Sequence, residues 1–259
     1  MKDLRSLTYE QLCEEVKAMG QPSFRAKQIY SWLHEKRVTD FSEMTNLSAA
    51  LREKLASEYS LAKVTIERRL VSKLDGTVKY LYRLYDGECI ESVLMKYNHG
   101  YTVCISTQVG CRMGCKFCAS GIGGLIRNLT ASEMLSQIMA AERDNNIRVS
   151  NVVMMGMGEP LDNFENSVRF LKLVSNDKGM NIGLRHISLS TSGVVSGIKK
   201  LKDYNFPITL SISLHAPFDD MRSEMMKVNK RWNISELIKA CKDYQKVTGR
   251  RISFEYAMI

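Results

Sequence analysis

The sequence predicts an α/β fold, a partial (β/α)6 barrel with about five of six strands, preceded by a small α+β accessory segment. Three observations carry that reading. Apolar residues recur at helical spacing from residue 8 to about 59; β-rich runs broken by Asp-Gly pairs follow from about 61 to 107; strand, loop and helix then alternate to the end.

In the first segment Leu12, Val16 and Met19, then Ile29, Trp32 and Leu33, then Leu47, Leu51 and Leu55 each mark one helix face, so three short helices are expected. The runs LAKVTIERRL, VKYLYRLYD, ECIESVLMKY and YTVCIST read as antiparallel strands. Asp75-Gly76 and Asp86-Gly87 are their hairpin signals, because glycine supplies the positive φ of a tight turn. The accessory part is placed at 1–95 and the barrel core at 96–259. Within the core, Thr130-Ala131-Ser132-Glu133 is a capping box opening a helix through about Arg143, and NVVMMGMGEP is a buried strand with a Gly-rich exit. Helices near 164–176, 194–203 and 234–247 lead to the strands HISLSTSG, PITLSISLHAP and RISFEYAMI. Functional groups are expected at the carboxyl ends of these strands. The last strand runs to Met258 and Ile259 and would be an open edge, so the chain is expected to be cut short at its C-terminus.

Composition narrows the class. With 44% hydrophobic and 25% charged residues in 259, the chain can bury a real core. It has no apolar run of the roughly 20 residues that a membrane span needs, and its start, MKDLRSLTYEQLCEEV, is too charged for a signal peptide. A cytoplasmic protein with no membrane partner is expected. Residues 1–100 hold 16 Lys+Arg against 14 Asp+Glu, or +2, so the rest carries +7 of the formal +9. That excess suits a polyanionic partner, and equally a solvated basic surface. Arg68-Arg69, Lys199-Lys200 and Lys227 to Arg231 are candidate phosphate contacts, and Tyr9, Tyr30 and Trp32 candidate base-stacking rings, although Trp32 lies at core spacing.

Of seven cysteines, Cys111, Cys115 and Cys118 crowd together just past a strand, while Cys13, Cys89, Cys104 and Cys241 are scattered. Clustered thiols in a chain of this size bind metal or do redox chemistry more often than they form a disulfide framework. Structural zinc sites and all-cysteine clusters need four protein ligands, and no fourth thiol is close in sequence, which leaves one coordination position open. A zinc knot completed by His99 or a distant cysteine, and a surface thiol cluster with no role, are the alternatives.

The spacing Cys-x3-Cys-x2-Cys, with Phe117 before the last cysteine, resembles the signature of radical S-adenosylmethionine enzymes. The resemblance implies a [4Fe–4S] cluster on the three thiols, with S-adenosylmethionine chelating the fourth iron. It also implies S-adenosylmethionine contacts from Gly158 and Glu159 after the second core strand, from Ser190 after the third, and from Ser213, Leu214 and His215 after the fourth. Taken alone, a Gly-rich exit is a tight turn and strand-end serines are caps.

Glu-Ser-Val at 91–93 and Cys-Ile-Ser-Thr-Gln-Val-Gly-Cys at 104–111 resemble more narrowly the RlmN and Cfr group of RNA methyltransferases, as do Gly-Met-Gly-Glu-Pro-Leu-Asp-Asn and Leu-Ser-Thr-Ser-Gly. The resemblance covers nearly the whole chain and implies methylation at C2 of an adenine in 23S rRNA and in tRNA, with flavodoxin or ferredoxin as electron donor. Glu91 would accept the C2 proton, and Cys104 would form a disulfide with a C-terminal cysteine that carries the methyl group. That cysteine lies in the family beyond the sixth strand, and here the only cysteine after Cys118 is Cys241, inside a helix. A fragment without productive methyl transfer is therefore expected. C8 methylation, as in Cfr, and a non-catalytic iron–sulfur RNA-binding fragment are the alternative readings.

Overall fold

Where helical spacing gives way to alternation, one apolar core ends and another begins. The computed structural model describes residues 1–258. Leu12 and Val16 on α1 (Tyr9–Ala18), Ile29 on α2 (Phe24–Tyr30) and Leu51 and Leu55 on α3 (Ala49–Glu58) meet in a small core with Leu4, Leu33 and Tyr59. Side-chain oxygens begin two of these helices, Thr8 accepting from Gln11 N and Ser48 from Leu51 N. Trp32 is half-buried, its indole N–H bonded to Asn46 Oδ1 at 2.5 Å, and Tyr30 is buried in the core.

The main sheet has eight strands, beside two short two-stranded pairs. β1 (Thr65–Val71), β2 (Val78–Arg83), β3 (Cys89–Tyr97) and β4 (Gly100–Cys104) are successive antiparallel neighbours, and the first two turns fall at the expected Asp-Gly pairs. From β4 the sheet continues in parallel through β5 (Val149–Met154), β6 (Ile187–Thr191), β7 (Thr209–Ser213) and β8 (Ile252–Glu255). The return helices are α4 (Ala131–Asn145), α5 (Phe164–Val174) and α6 (Val195–Asp203). The β7–β8 connection carries the short α7 (Asp219–Met225), which the periodicity had not marked, and then α8 (Ile234–Thr248). The capping box on α4 is formed as expected. Five parallel strands are thus present, and the mixed sheet with covering helices is the predicted α/β class.

The division expected at residue 95 is displaced. Val78, Tyr80, Tyr82, Ile90 and Leu94 belong to the large core, and β3 is paired to β4 from Val93–Cys104 to Tyr97–Gly100. A strand in water with an unpaired edge is unfavourable, so the hairpins extend the main sheet rather than stand with the helices. The separate core ends at Tyr59. The strand expected to run to the terminus ends at Glu255, and Ile259 lies outside the described residues.

Arg5 ties the two cores together. It is buried, and its guanidinium donates to Ala62 O at 2.7 Å, to Val38 O and to Ser136 Oγ of α4 at 3.4 Å. Burial pushes its pKa down to about 10.

Alternation gives the parallel strands two unlike faces. Val103, Val152, Met154, Leu189, Leu210 and Ile212 pack into the core. The opposite positions, Cys104, Asn151, Ser188, Ser190, Ser211, Ser213, Ser253 and Glu255, line up through the strand registers on the other face. Barrel interiors are usually filled with branched apolar side chains; this one carries hydroxyls, with Ser188 Oγ and Ser211 Oγ at 3.2 Å.

Gln137 of α4 is fully buried, its amide accepting from Ser106 N at 2.8 Å and donating to Ser106 O at 2.9 Å, which fixes the chain as it leaves β4. Gln137→Leu keeps the volume but leaves two buried backbone groups unpaired, so it should cost about 3 kcal/mol. Thermal denaturation should show Tm lower by roughly 6–10 °C; an unchanged Tm would mean that Ser106 is held by other contacts.

Candidate active site

Past Ser106 the chain crosses the ends of its neighbours and is stitched to them. Met157 N donates to Ser106 Oγ at 2.9 Å, Thr107 N to Met157 O at 2.8 Å and Glu159 N to Gln108 Oε1 at 2.8 Å. Gly158 has φ +100°, and a Cβ there would come within 2.5 Å of Gln108 Cβ, so only glycine allows the two loops to touch. Buried Gln108 also donates to Asn128 Oδ1 at 2.8 Å and Asp162 Oδ2 at 2.9 Å. Its backbone starts a short antiparallel pair, Gln108–Gly110 with Leu125–Asn128, that closes the base of the cysteine loop.

That loop has little regular structure and is held from outside. Lys116 N donates to Met225 O at 2.9 Å, and Lys116 Nζ lies 3.1 Å from Glu224 Oε1, both on α7. Phe117 meets the His215 ring edge-to-face at 5.0 Å. Cys111, Cys115 and Cys118 consequently line one cavity of ≈ 240 Å³ together with Gly158, Glu159, Ser190, Ser213, His215 and Glu255. Burial raises the pKa of Cys111 and pushes that of Cys115 up to about 11, with neighbouring thiols adding to both, so unscreened thiolates are costly here and a cationic centre would relieve them. His99, the alternative fourth ligand, stacks on Tyr97 at the opposite end of β4. Among the described residues no three His, Cys, Asp or Glu side chains converge as a single metal ion needs.

The expected residues are not all alike in place. Buried Glu159 accepts from Ser192 N at 2.7 Å and Leu161 N at 3.1 Å, so its carboxylate also braces the loops; burial raises its pKa against those bonds. Ser190 Oγ and Ser213 Oγ both donate to Glu255 Oε2, at 3.3 and 3.2 Å. Their protons being used there, they offer the cavity lone pairs. Leu214 does not line the cavity; its N–H and that of His215 donate to Glu255 O at 3.1 Å. His215 has φ +57°, an uncommon conformation for a non-glycine residue, and its Nδ1 accepts from Ala257 N at 3.0 Å. Cys104 and Glu91 share the hydroxyl-bearing face of the sheet but do not line the cavity: Cys104 is paired with Val93, two residues from Glu91. Glu91 is half-exposed, with Lys79 Nζ 2.8 Å from its Oε1.

Comparisons with known proteins agree with this geometry. The description "Ribosomal RNA large subunit methyltransferase N-terminal domain" matches residues 2–61, and "Radical SAM superfamily" matches residues 105–257. The chain is 52% identical, over 99% of its length, to proteins named probable dual-specificity RNA methyltransferase RlmN from Lachnoclostridium phytofermentans and Alkaliphilus oremlandii, of which it covers 72% and 75%. The chain belongs to the RlmN family. A crystal structure of a radical SAM methyltransferase from Sphaerobacter thermophilus superposes with TM-score 0.93 at 45% identity, over 99% of this chain and 76% of that one.

RlmN membership brings the superfamily's cofactors, a [4Fe–4S] cluster and S-adenosylmethionine. The donor set fits both: three thiols for a cluster, and on the same wall a buried Ser192 hydroxyl without a partner among the described residues. Two residues in this RlmN-family site had no sequence signal. Glu255 lay within an apparent strand end. Arg222, fully buried, donates to Ser192 O at 2.6 Å, Ser213 O and Leu214 O at 3.1 Å and Asn229 Oδ1 at 2.8 Å, clamping the exits of β6 and β7 from the unforeseen α7.

All seven cysteines are free, and burial pushes the Cys104 thiol up to about 11. It should therefore be a thiol at neutral pH. Its alkylation by iodoacetamide, mapped by mass spectrometry, should rise about tenfold per pH unit up to that value; a plateau reached by pH 9 would contradict the burial of Cys104.

Proposed function

We propose that Cys111, Cys115 and Cys118 hold a [4Fe–4S] cluster, that Gly158, Glu159, Ser190, Ser213 and His215 hold S-adenosylmethionine against it, and that the site serves methylation of adenine C2 in 23S rRNA and tRNA. The observation that carries this is the single cavity shared by the three thiols and the polar ends of β5, β6 and β7. When bound, the reduced cluster supplies the electron that cleaves S-adenosylmethionine, and so reaches a carbon that ordinary methyl transfer cannot attack.

The chain's own groups then have distinct tasks. Glu159 and the Gly158 backbone offer acceptor oxygens and a close approach suited to an ammonium, and Ser190 and Ser213 offer lone pairs held in place by Glu255. Glu91, half-exposed with Lys79 alongside to balance its charge, would take the proton from C2. Cys104, two register positions away, stays a thiol until a disulfide partner reaches it. RNA, an acidic carrier such as flavodoxin or ferredoxin, and a reducing cytoplasm complete the reading; seven free thiols and the absence of any helix long and apolar enough to cross a membrane among the described residues are consistent with that setting.

Anaerobic reconstitution should load about four irons per chain, and reduction with dithionite should yield 5′-deoxyadenosine and methionine from S-adenosylmethionine. Cys115→Ala should abolish both. Glu91→Gln should keep the cluster and the cleavage but lower any RNA methylation by at least about 100-fold. In nucleoside mass spectrometry 2-methyladenosine supports C2; 8-methyladenosine would replace that regiochemistry, and an unmodified RNA with a cluster indifferent to S-adenosylmethionine would leave a binding fragment.

A further inference from the structure

Against the cysteine loop lies a second and larger hollow of ≈ 460 Å³, which shares only Met113 with the cofactor cavity. Its wall carries Arg112, Lys200, Lys227 and Arg231 against a single carboxylate, Asp162, which is 2.8 Å from Arg112. Among the described residues Lys200, Lys227 and Arg231 have no carboxylate within ion-pair distance. Trp232 and Phe164 form its aromatic part, with the Arg231 guanidinium 4.6 Å from the Trp232 ring. Apart from Asp162, which accepts from Gln108, none of these groups has a task in the site described above.

Two contacts place this cleft against the cluster loop. Met113, between Cys111 and Cys115, lines both the cleft and the cofactor cavity, so one stretch of chain separates them. Lys227 lies along Gly114, its Cδ and Nζ 3.3 and 3.4 Å from where a Cβ on Gly114 would be. Apart from Arg112 and Met113 of the cysteine loop, the cleft is built by the segments that follow β5, β6 and β7, whereas Glu91 and Cys104 sit on β3 and β4, so a target base entering there would not need it.

A cluster held by this loop must receive its electron from outside, and electron transfer falls off steeply with distance. We propose that this cleft docks an acidic one-electron carrier protein, one whose carboxylates surround an exposed flavin or iron–sulfur edge. The inference rests on the cluster assignment above. The carrier gives up one electron and the [4Fe–4S]2+ cluster becomes [4Fe–4S]1+; no bond or proton changes hands. Carboxylates meet Lys200, Lys227 and Arg231, and the redox edge faces the Cys111–Cys115 backbone. Such pairing speeds association and is weakened by salt.

The test is the double variant Lys227→Glu/Arg231→Glu of the full chain, with Lys242→Glu/Lys246→Glu on the exposed face of α8 as a charge control. Calorimetric binding of oxidised flavodoxin, with or without cluster, should weaken at least tenfold in the cleft variant and stay unchanged in the control. Reduced flavodoxin should bleach the cluster at least tenfold more slowly, while dithionite reduction and S-adenosylmethionine cleavage stay within twofold. Unchanged flavodoxin binding and reduction would overturn the proposal, and a loss confined to RNA affinity would overturn it in favour of an RNA surface. A parent chain that forms no cluster would refute the cluster assignment instead, and the binding arm on cluster-free protein would still decide the docking.

Discussion

The two-residue period of the parallel strands is the constraint on which the rest of this structure depends. A strand presents alternate residues to opposite faces, so the same five segments that bury Val152, Leu189, Leu210 and Ile212 must place Ser188, Ser190, Ser211, Ser213 and Glu255 on the other side. A shift of one residue in any register would bury hydroxyls and expose the core. Core and site are two readings of one alternation, and the polar interior is kept open by the same burial that holds the helices on.

The second requirement is to hold an irregular cysteine loop at the strand ends without filling the space beside it. The fold meets it with backbone bonds. Gln108 couples the loop's base to Glu159, Asn128 and Asp162; Met225 accepts from Lys116; Arg222 collects carbonyls from the ends of β6 and β7. Most of these bonds end on backbone groups, and the cavity wall is left to Glu159, Ser190, Ser213 and the thiols. Buried groups satisfied in this way are costly to disturb, which makes the rim rigid.

Much of this was legible because it rests on local patterns. Helical spacing at Leu12, Val16, Ile29 and Leu55, the Thr130 capping box, the Asp-Gly turns and the cysteine spacing all correspond to elements that form. The continuity of the hairpins with the main sheet was not legible, since β3–β4 pairing depends on which edge is free after the parallel strands assemble. Nor was α7, seven residues long with only Arg222 buried, too short and polar to show a periodic face. Glu255 looked like any charge near a strand end; only its register with Ser213 reveals that it gathers two hydroxyls. Leu214 shows the converse, a position carried by resemblance whose side chain packs on the core while its backbone does the positioning.

The central claim is that three thiols leave one iron free for S-adenosylmethionine. Electron–nuclear double resonance on the reduced, reconstituted cluster, with S-adenosylmethionine labelled with 15N at its amino group and 17O at its carboxylate, tests it directly. Hyperfine coupling from both labels is expected, together with its loss when S-adenosylmethionine is omitted. A fully ligated cluster that shows no coupling to either label would contradict the account.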